Sequence, residues 1–135
     1  MESVPAPSPH RSGKANRILS YVLVLLAVLL AVQVTLAGIN VLAAASSSNA
    51  THSAHEGIGH AIELLAGVIL VVGFIAKDRQ AGILGIVLFL LAGGQNGWIQ
   101  QQNSLRALHV LGAFFIVGIT TWLLATRHPW REGSA

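Results

Sequence analysis

The sequence predicts an all-α protein, an integral membrane bundle of four transmembrane helices. Charged residues make up only 10% of the 135 residues and hydrophobic residues 53%, whereas a soluble domain carries about 25% charged residues. So few charges could not cover a water-facing surface of this size. The chain also contains four apolar stretches, each near the roughly 20 residues that a membrane-spanning helix needs. We therefore expect the lipid bilayer to surround the protein.

The four apolar stretches define the domain organisation. Residues 1–17, rich in Pro and Ser, are predicted to be a disordered basic cytoplasmic tail, and residues 127–135 a second cytoplasmic tail. The alternative is that the N-terminal part of the chain is a cleaved signal peptide. The apolar run that follows Arg17 is, however, longer than the about 7–15 residues of a signal peptide's apolar region. One bundle domain is predicted over residues 18–126, with helices at 18–42, 53–76, 81–97 and 105–125.

Basic residues are distributed unevenly between the two predicted sides of the membrane. Arg106 is the only one on the predicted outer side. Cytoplasmic loops carry an excess of Lys and Arg, so both termini are predicted to be cytoplasmic, in the inner (plasma) membrane. This orientation accounts for the net charge of +3 without a nucleic-acid partner. The basic residues on the predicted cytoplasmic side are Arg11, Lys14, Arg17, Lys77, Arg79, Arg127 and Arg131.

A weak internal repeat divides the predicted bundle into two tandem helix pairs. Gln33 lies sixteen residues after Arg17, and Gln95 lies sixteen residues after Arg79. At ~1.5 Å per residue, both glutamines lie ~24 Å above the cytoplasmic boundary. Each odd helix therefore carries a glutamine at one depth, and each even helix carries a histidine near its outer end. An axis normal to the membrane would relate two such pairs.

Histidines lie in the outer halves of the two even helices. His109 is eighteen residues before Arg127, or ~27 Å above the cytoplasmic boundary. His60 is seventeen residues before Lys77, or ~26 Å above it, whereas His55 is at ~33 Å and nearer to water. A helix tilt near 20° would remove that difference. Because His55 and His60 are about 140° apart around the helix, they cannot face the same partner.

Ionisable side chains inside a membrane are costly, so these histidines suggest a functional site. Two imidazoles that face each other across a bundle core could bind a haem b, with His109 and either His55 or His60 as iron ligands. Membrane histidines and glutamines also hydrogen-bond across helices without binding a cofactor. The absence of cysteine excludes iron–sulfur clusters and thiolate ligands. Other residues predicted to contact the haem are Gly59, Gln33, Gln95, Arg106 and Trp98.

Residues 55–59 are similar to a His-Arg-x-x-Gly motif, residues 109–113 to a His-x-x-x-Ala motif, residues 32–38 to a Gln-x-x-x-Gly motif and residues 94–95 to a glutamine motif of a third helix. In these four segments the chain resembles one four-helix half of haem A synthase, an eight-helix membrane enzyme. In that family each half holds a haem between histidines of its even helices, so the resemblance implies His55 and His109 as ligands and favours His55 over His60. Glu56 stands where the family has Arg. The chain is also similar to small bacterial four-helix membrane proteins with the same histidine placement.

The sequence leaves three functions open. The first is an electron-transfer cytochrome with haem b near the outer leaflet, which exchanges electrons with a quinone or a protein partner and is not a stand-alone enzyme. The second is an accessory or assembly subunit of a larger respiratory complex. The third is a small proton- or solute-conducting bundle that uses Glu63, a carboxyl group within a predicted span.

Overall fold

The computed structural model describes residues 13–43, 50–99 and 103–127, and it describes side chains within residues 13–42, 53–95 and 107–127. Within these residues every regular element is an α-helix, and no strand is present. The predicted all-α fold is therefore confirmed. The helices are α1 (Gly13–Ala43), α2 (Ala50–Ile75), α3 (Arg79–Ile99) and α4 (Asn103–Thr126).

The first helix begins five residues before its predicted start, so the assignment of residues 13–17 to a disordered tail is wrong. The reason is the packing of Ala15, which is 8% exposed and continues the buried face of α1. Lys14 and Arg17 are also good helix formers. The remaining tail predictions, for residues 1–12 and 128–135, lie outside the described residues.

The helices pack as a closed ring, in which each helix contacts the next one in the chain and α4 contacts α1. Two diagonals therefore cross the bundle, one between α1 and α3 and the other between α2 and α4. The buried residues of α1 follow a helical spacing of three and four, and they meet apolar residues of the other three helices. The α1 residues of this core are Leu19, Leu23, Leu26 and Leu30, and their partners include Ile62, Ile69, Leu88, Ile116 and Leu123.

The outside of the bundle is apolar as well. Leu64 is 71% exposed and Phe114 is 72% exposed, as expected for side chains that face lipid. Three segments are long and apolar enough to cross a membrane, and α3 contributes a shorter apolar segment, Arg79–Gln95. The three longer segments are Gly13–Leu42, Ser53–Ile75 and Ala107–Thr126.

A tight turn joins α2 to α3. Lys77 adopts a left-handed backbone with φ of 57°, and the Asp78 N–H donates to the Gly73 carbonyl at 2.9 Å. Together with the bond from the Lys77 N–H to the Phe74 carbonyl, this is the Schellman arrangement that ends many helices. The Asp78 carboxylate then accepts from the Ala81 N–H at 3.0 Å and caps the start of α3.

The end of α4 is fastened to this turn and to α1. The Arg127 guanidinium donates to both carboxylate oxygens of Asp78, and Ser20 of α1 donates to the Arg127 carbonyl at 3.1 Å. The beginning of α1 and the end of α4 therefore lie at the same end of the bundle, here called the terminal end. The opposite end, which carries the start of α2 and of α4, is called the distal end.

Candidate functional site

The two histidines nearest the distal end are brought together from helices on one diagonal of the bundle. The ring centres of His55 on α2 and His109 on α4 are 6.4 Å apart, and the ring planes are inclined by 52°. Both residues are half-buried. The arrangement places two imidazoles, which are ligands for iron and other transition metals, against each other inside an apolar membrane-type bundle.

A glutamine of α1 completes one side of the pair. The Gln33 side-chain amide donates to the His55 carbonyl at 2.9 Å, and the same Nε2 atom lies 3.4 Å from Nε2 of the His55 ring. Gln33 therefore fixes the backbone and the ring of His55 together. The interpretation of Gln33 as an interhelical hydrogen-bond residue is confirmed.

Several polar atoms in this part of the core are buried without a hydrogen-bond partner among the described residues. They include Nδ1 of His109, Oε1 of Gln33 and both amide atoms of Gln95. Leaving such an atom unsatisfied costs roughly 1–3 kcal/mol, and the hydrocarbon of a bilayer supplies no compensating bonds. The distal half of the core therefore presents polar groups suited to contact a polar or metal-containing ligand.

His60 does not share this arrangement. Its ring Nδ1 lies 3.7 Å from Glu63 Oε2, one turn along the same helix, and its side chain is 58% exposed. His60 and His109 were matched by their similar predicted distance from the cytoplasmic boundary. That match does not identify the contacting pair, because the ring beside His109 is that of His55. Rotation about the α2 axis decides the pairing, because five residues turn a helix by about 140° from His55.

Glu63 lies against the backbone of α3. A Cβ atom added at Gly93 would come within 3.0 Å of Glu63 Oε1, so the absence of a side chain at Gly93 makes room for the carboxyl group. The sequence marks Glu63 and Gly93 separately, but it gives no register between α2 and α3. Their contact could not be inferred without that register.

The other predicted site residues have mixed outcomes. Gly59 is half-buried on α2. Trp98 lies on α3 and Arg106 on α4, but the side chains of both lie outside the described residues. The predicted roles of these two side chains therefore stay predictions.

The ligand set that the site can offer is small. Within the part of the chain that the structure describes, no three or more His, Cys, Asp or Glu side chains come together as a metal-binding group. His55 and His109 would thus supply two ligands. Such a pair fits a metal whose other ligands come with a cofactor, as they do in a porphyrin.

No protein-family model, curated protein or solved structure matches this chain. The function is consequently argued from the geometry of the site and from the chemistry of its residues.

Proposed function

We propose that this chain is a membrane cytochrome that binds one haem b between His55 and His109. The observation that carries the proposal is the approach of these two rings across the α2–α4 diagonal. Histidine is the commonest metal ligand among side chains, and a half-buried histidine pair in an apolar bundle could supply the two protein ligands that a b-type haem takes. The haem itself would supply the one-electron chemistry.

The spacing of the rings is compatible with a shared metal. Metal–imidazole bonds are ~2 Å long, so two imidazoles on opposite sides of one ion have ring centres ~6 Å apart by the same bond lengths. The observed separation is 6.4 Å.

The surrounding glutamines support the proposal because metal-binding histidines need oriented rings. Gln33 positions the backbone of His55 by donating to its carbonyl. The Gln33 Nε2 atom also lies 3.4 Å from His55 Nε2, so an iron bound at that ring nitrogen would take the place of this contact. The buried side-chain amide of Gln95 has no hydrogen-bond partner among the described residues. Its nitrogen could donate to a haem propionate, or its oxygen could accept from Nδ1 of His109. With both histidines bound, the haem would keep no free coordination position, which favours electron transfer over oxygen activation.

The proposed cytochrome lies in the plasma membrane with both termini in the cytoplasm. The structure supports a shared side for the termini through the bond between Ser20 and Arg127. The sequence assigns seven basic residues to that side of the membrane and one to the other, which favours the cytoplasm as that side. A quinone or a respiratory membrane complex would then be the redox partner.

Haem titration of the detergent-purified, haem-depleted chain tests the proposal. We expect one haem per chain, with sharp α and β absorption bands on reduction. His109→Ala and His55→Ala should each abolish these bands. His60→Ala is the matched control, because it removes a histidine from the same helix that lies outside the pair. Equal spectra for all three variants would contradict the assignment, and no haem uptake by the wild type would favour an accessory subunit.

A second candidate, proton conduction, is favoured by one observation. Glu63 lies within a span, its side chain is 27% exposed, and it lies 3.7 Å from His60. Carboxyl and imidazole groups in such a position are typical of proton paths. Proton flux into liposomes that falls in Glu63→Gln would support this function. Flux equal to that of empty liposomes would remove it.

A further inference from the structure

A groove runs along the lipid-facing side of the bundle between α3 and α4. Its volume is about 540 Å³. The walls are apolar and include Leu84 of α3 with Phe114, Phe115 and Ile119 of α4, and Gly118 forms part of the floor. A Cβ at Gly118 would meet nothing within 4 Å, so the groove is open at that residue.

The length of the groove matches one leaflet of a bilayer. On α4 it extends from Leu111 to Trp122, and eleven residues of helix span ~16 Å. Half of a hydrocarbon core of ~30 Å is ~15 Å. The groove is therefore long enough for the part of an acyl chain that lies in one leaflet, with its polar end at the membrane boundary.

The polar end of the groove lies at the terminal end of the bundle, where positive charge is concentrated. Gln80 and Trp122 line this end, and Arg127 donates to Gln80 at 3.3 Å and lies over the Trp122 ring. The charge of Arg127 is balanced by Asp78. Lys77 and Arg79 are exposed beside this pair, and neither makes an ion pair within the described residues.

We propose that the α3–α4 groove binds one anionic phospholipid. One of its two acyl chains lies along the apolar walls, and its headgroup phosphate is attracted by Lys77 and Arg79. Basic residues at a membrane surface attract anionic lipids in this way, and the apolar walls exclude water from the chain. The proposal stands on the groove and its charges, so it holds whether or not a haem is bound.

Retention of lipid during purification tests this proposal. The full chain is reconstituted in nanodiscs with equal amounts of phosphatidylglycerol and phosphatidylcholine, extracted in detergent and weighed by native mass spectrometry. We expect one retained lipid per chain, with phosphatidylglycerol enriched several-fold over phosphatidylcholine. Gly118→Leu fills the groove and should remove the retained lipid.

Two further variants separate the contributions of the groove and the charges. Gly38→Leu is the matched control, because Gly38 is an exposed glycine of α1 with equally open surroundings, and it should retain the lipid. The double variant Lys77→Gln/Arg79→Gln should retain a lipid but lose the enrichment. Lipid retained in the ratio of the mixture by the wild type would overturn the proposal. A dimer that Gly118→Leu converts to a monomer would assign the groove to a second copy of the chain instead.

Discussion

At the scale of single residues, the geometry of the candidate site depends on Gln33. Its side-chain amide on α1 donates a hydrogen bond to the backbone carbonyl of His55 on α2. The same amide also contacts the His55 ring. A residue that orients a metal ligand typically changes metal affinity about 10–100-fold when it is removed. The position of His55, and with it the proposed haem, therefore depends on a side chain that need not touch iron.

Replacement of Gln33 by Leu should weaken haem binding by about tenfold, because the bond to the His55 carbonyl is lost while the volume is nearly kept. The measurement is the dissociation constant from haem titration. Thr35→Val is the control, since Thr35 is exposed and its hydroxyl bonds to the Ala31 carbonyl of its own helix. A Gln33→Leu variant that binds haem as tightly as Thr35→Val would show that Gln33 does not position the ligand.

The pairing of His109 with His55 rather than His60 illustrates how much of this site could be predicted from the sequence. The residue types, their location near one end of the even helices and the involvement of Gln33 follow from the sequence. Axial depth alone pointed to His60, because counting residues measures rise along a helix and ignores rotation. The family resemblance pointed to His55, which the structure places beside His109. The contact between Glu63 and Gly93 needed the register of α2 against α3, and one chain does not contain that information.

At the scale of elements, the Asp78 carboxylate stabilises the turn between α2 and α3 through two interactions. Asp78 caps α3 through the Ala81 N–H and accepts both bonds of the Arg127 guanidinium. Asp78→Ala removes both interactions, which are worth about 1 kcal/mol for the cap and roughly 2 kcal/mol for the charge-assisted bonds. Asp78→Asn keeps an oxygen for the cap and should lose less.

Thermal unfolding in detergent checks this ranking. The expected order of midpoints is wild type, Asp78→Asn and then Asp78→Ala. Arg79→Gln, a change at the exposed neighbouring residue, should remain close to the wild type. Equal midpoints for Asp78→Ala and Arg79→Gln would mean that the turn does not hold the terminal end together.

The contact between α2 and α3 is made at the level of the backbone. A Cβ atom at Gly85 would lie 2.5 Å from Leu70 Cα, which is closer than packed atoms can be. Inside a bilayer lipid is as apolar as a side chain, so close packing of small residues replaces the hydrophobic effect as a source of helix association. Gly82 and Gly85 of α3 both contact α2, at Phe74 and at Leu70.

Gly85→Ala should therefore push the two helices apart and lower the free energy of unfolding by about 1–3 kcal/mol. Gly38→Ala is the control, because a Cβ there meets nothing within 4 Å. It should leave stability unchanged or raise it by up to about 1 kcal/mol through helix propensity. The comparison is made by denaturant titration in mixed micelles, and similar losses for both variants would contradict the close approach.

At the scale of the whole molecule, the fold follows from composition and from the spacing of apolar stretches, so it could be predicted nearly completely. The prediction errors are at helix ends, because capping bonds and side-chain packing determine the residue at which each helix begins. Because Asp78 caps it, α3 begins at Arg79, two residues before its predicted start. The buried side chain of Ala15 extends α1 into the predicted tail. The ring order of the helices also follows from short connections, since consecutive helices of a bundle are neighbours.

The proposed orientation makes a prediction that the chain is well suited to test, because it has no native cysteine. Single cysteines at Lys14, Lys77 and Ser53 replace exposed residues. In intact cells, a membrane-impermeant thiol reagent should label Ser53→Cys and leave Lys14→Cys and Lys77→Cys unlabelled until the cells are broken. Labelling of Lys14→Cys and Ser53→Cys from the same side would contradict the topology.

The central claim is that His55 and His109 hold one haem iron between them. The most direct test is the visible spectrum of detergent-purified protein from haem-supplied cells, recorded oxidised and then reduced with dithionite, for the wild type and for His109→Ala. We predict sharp reduced α and β bands in the wild type and their loss in the variant, as expected when a six-coordinate haem loses an axial ligand. A colourless wild type, or bands that persist unchanged in His109→Ala, would contradict the claim.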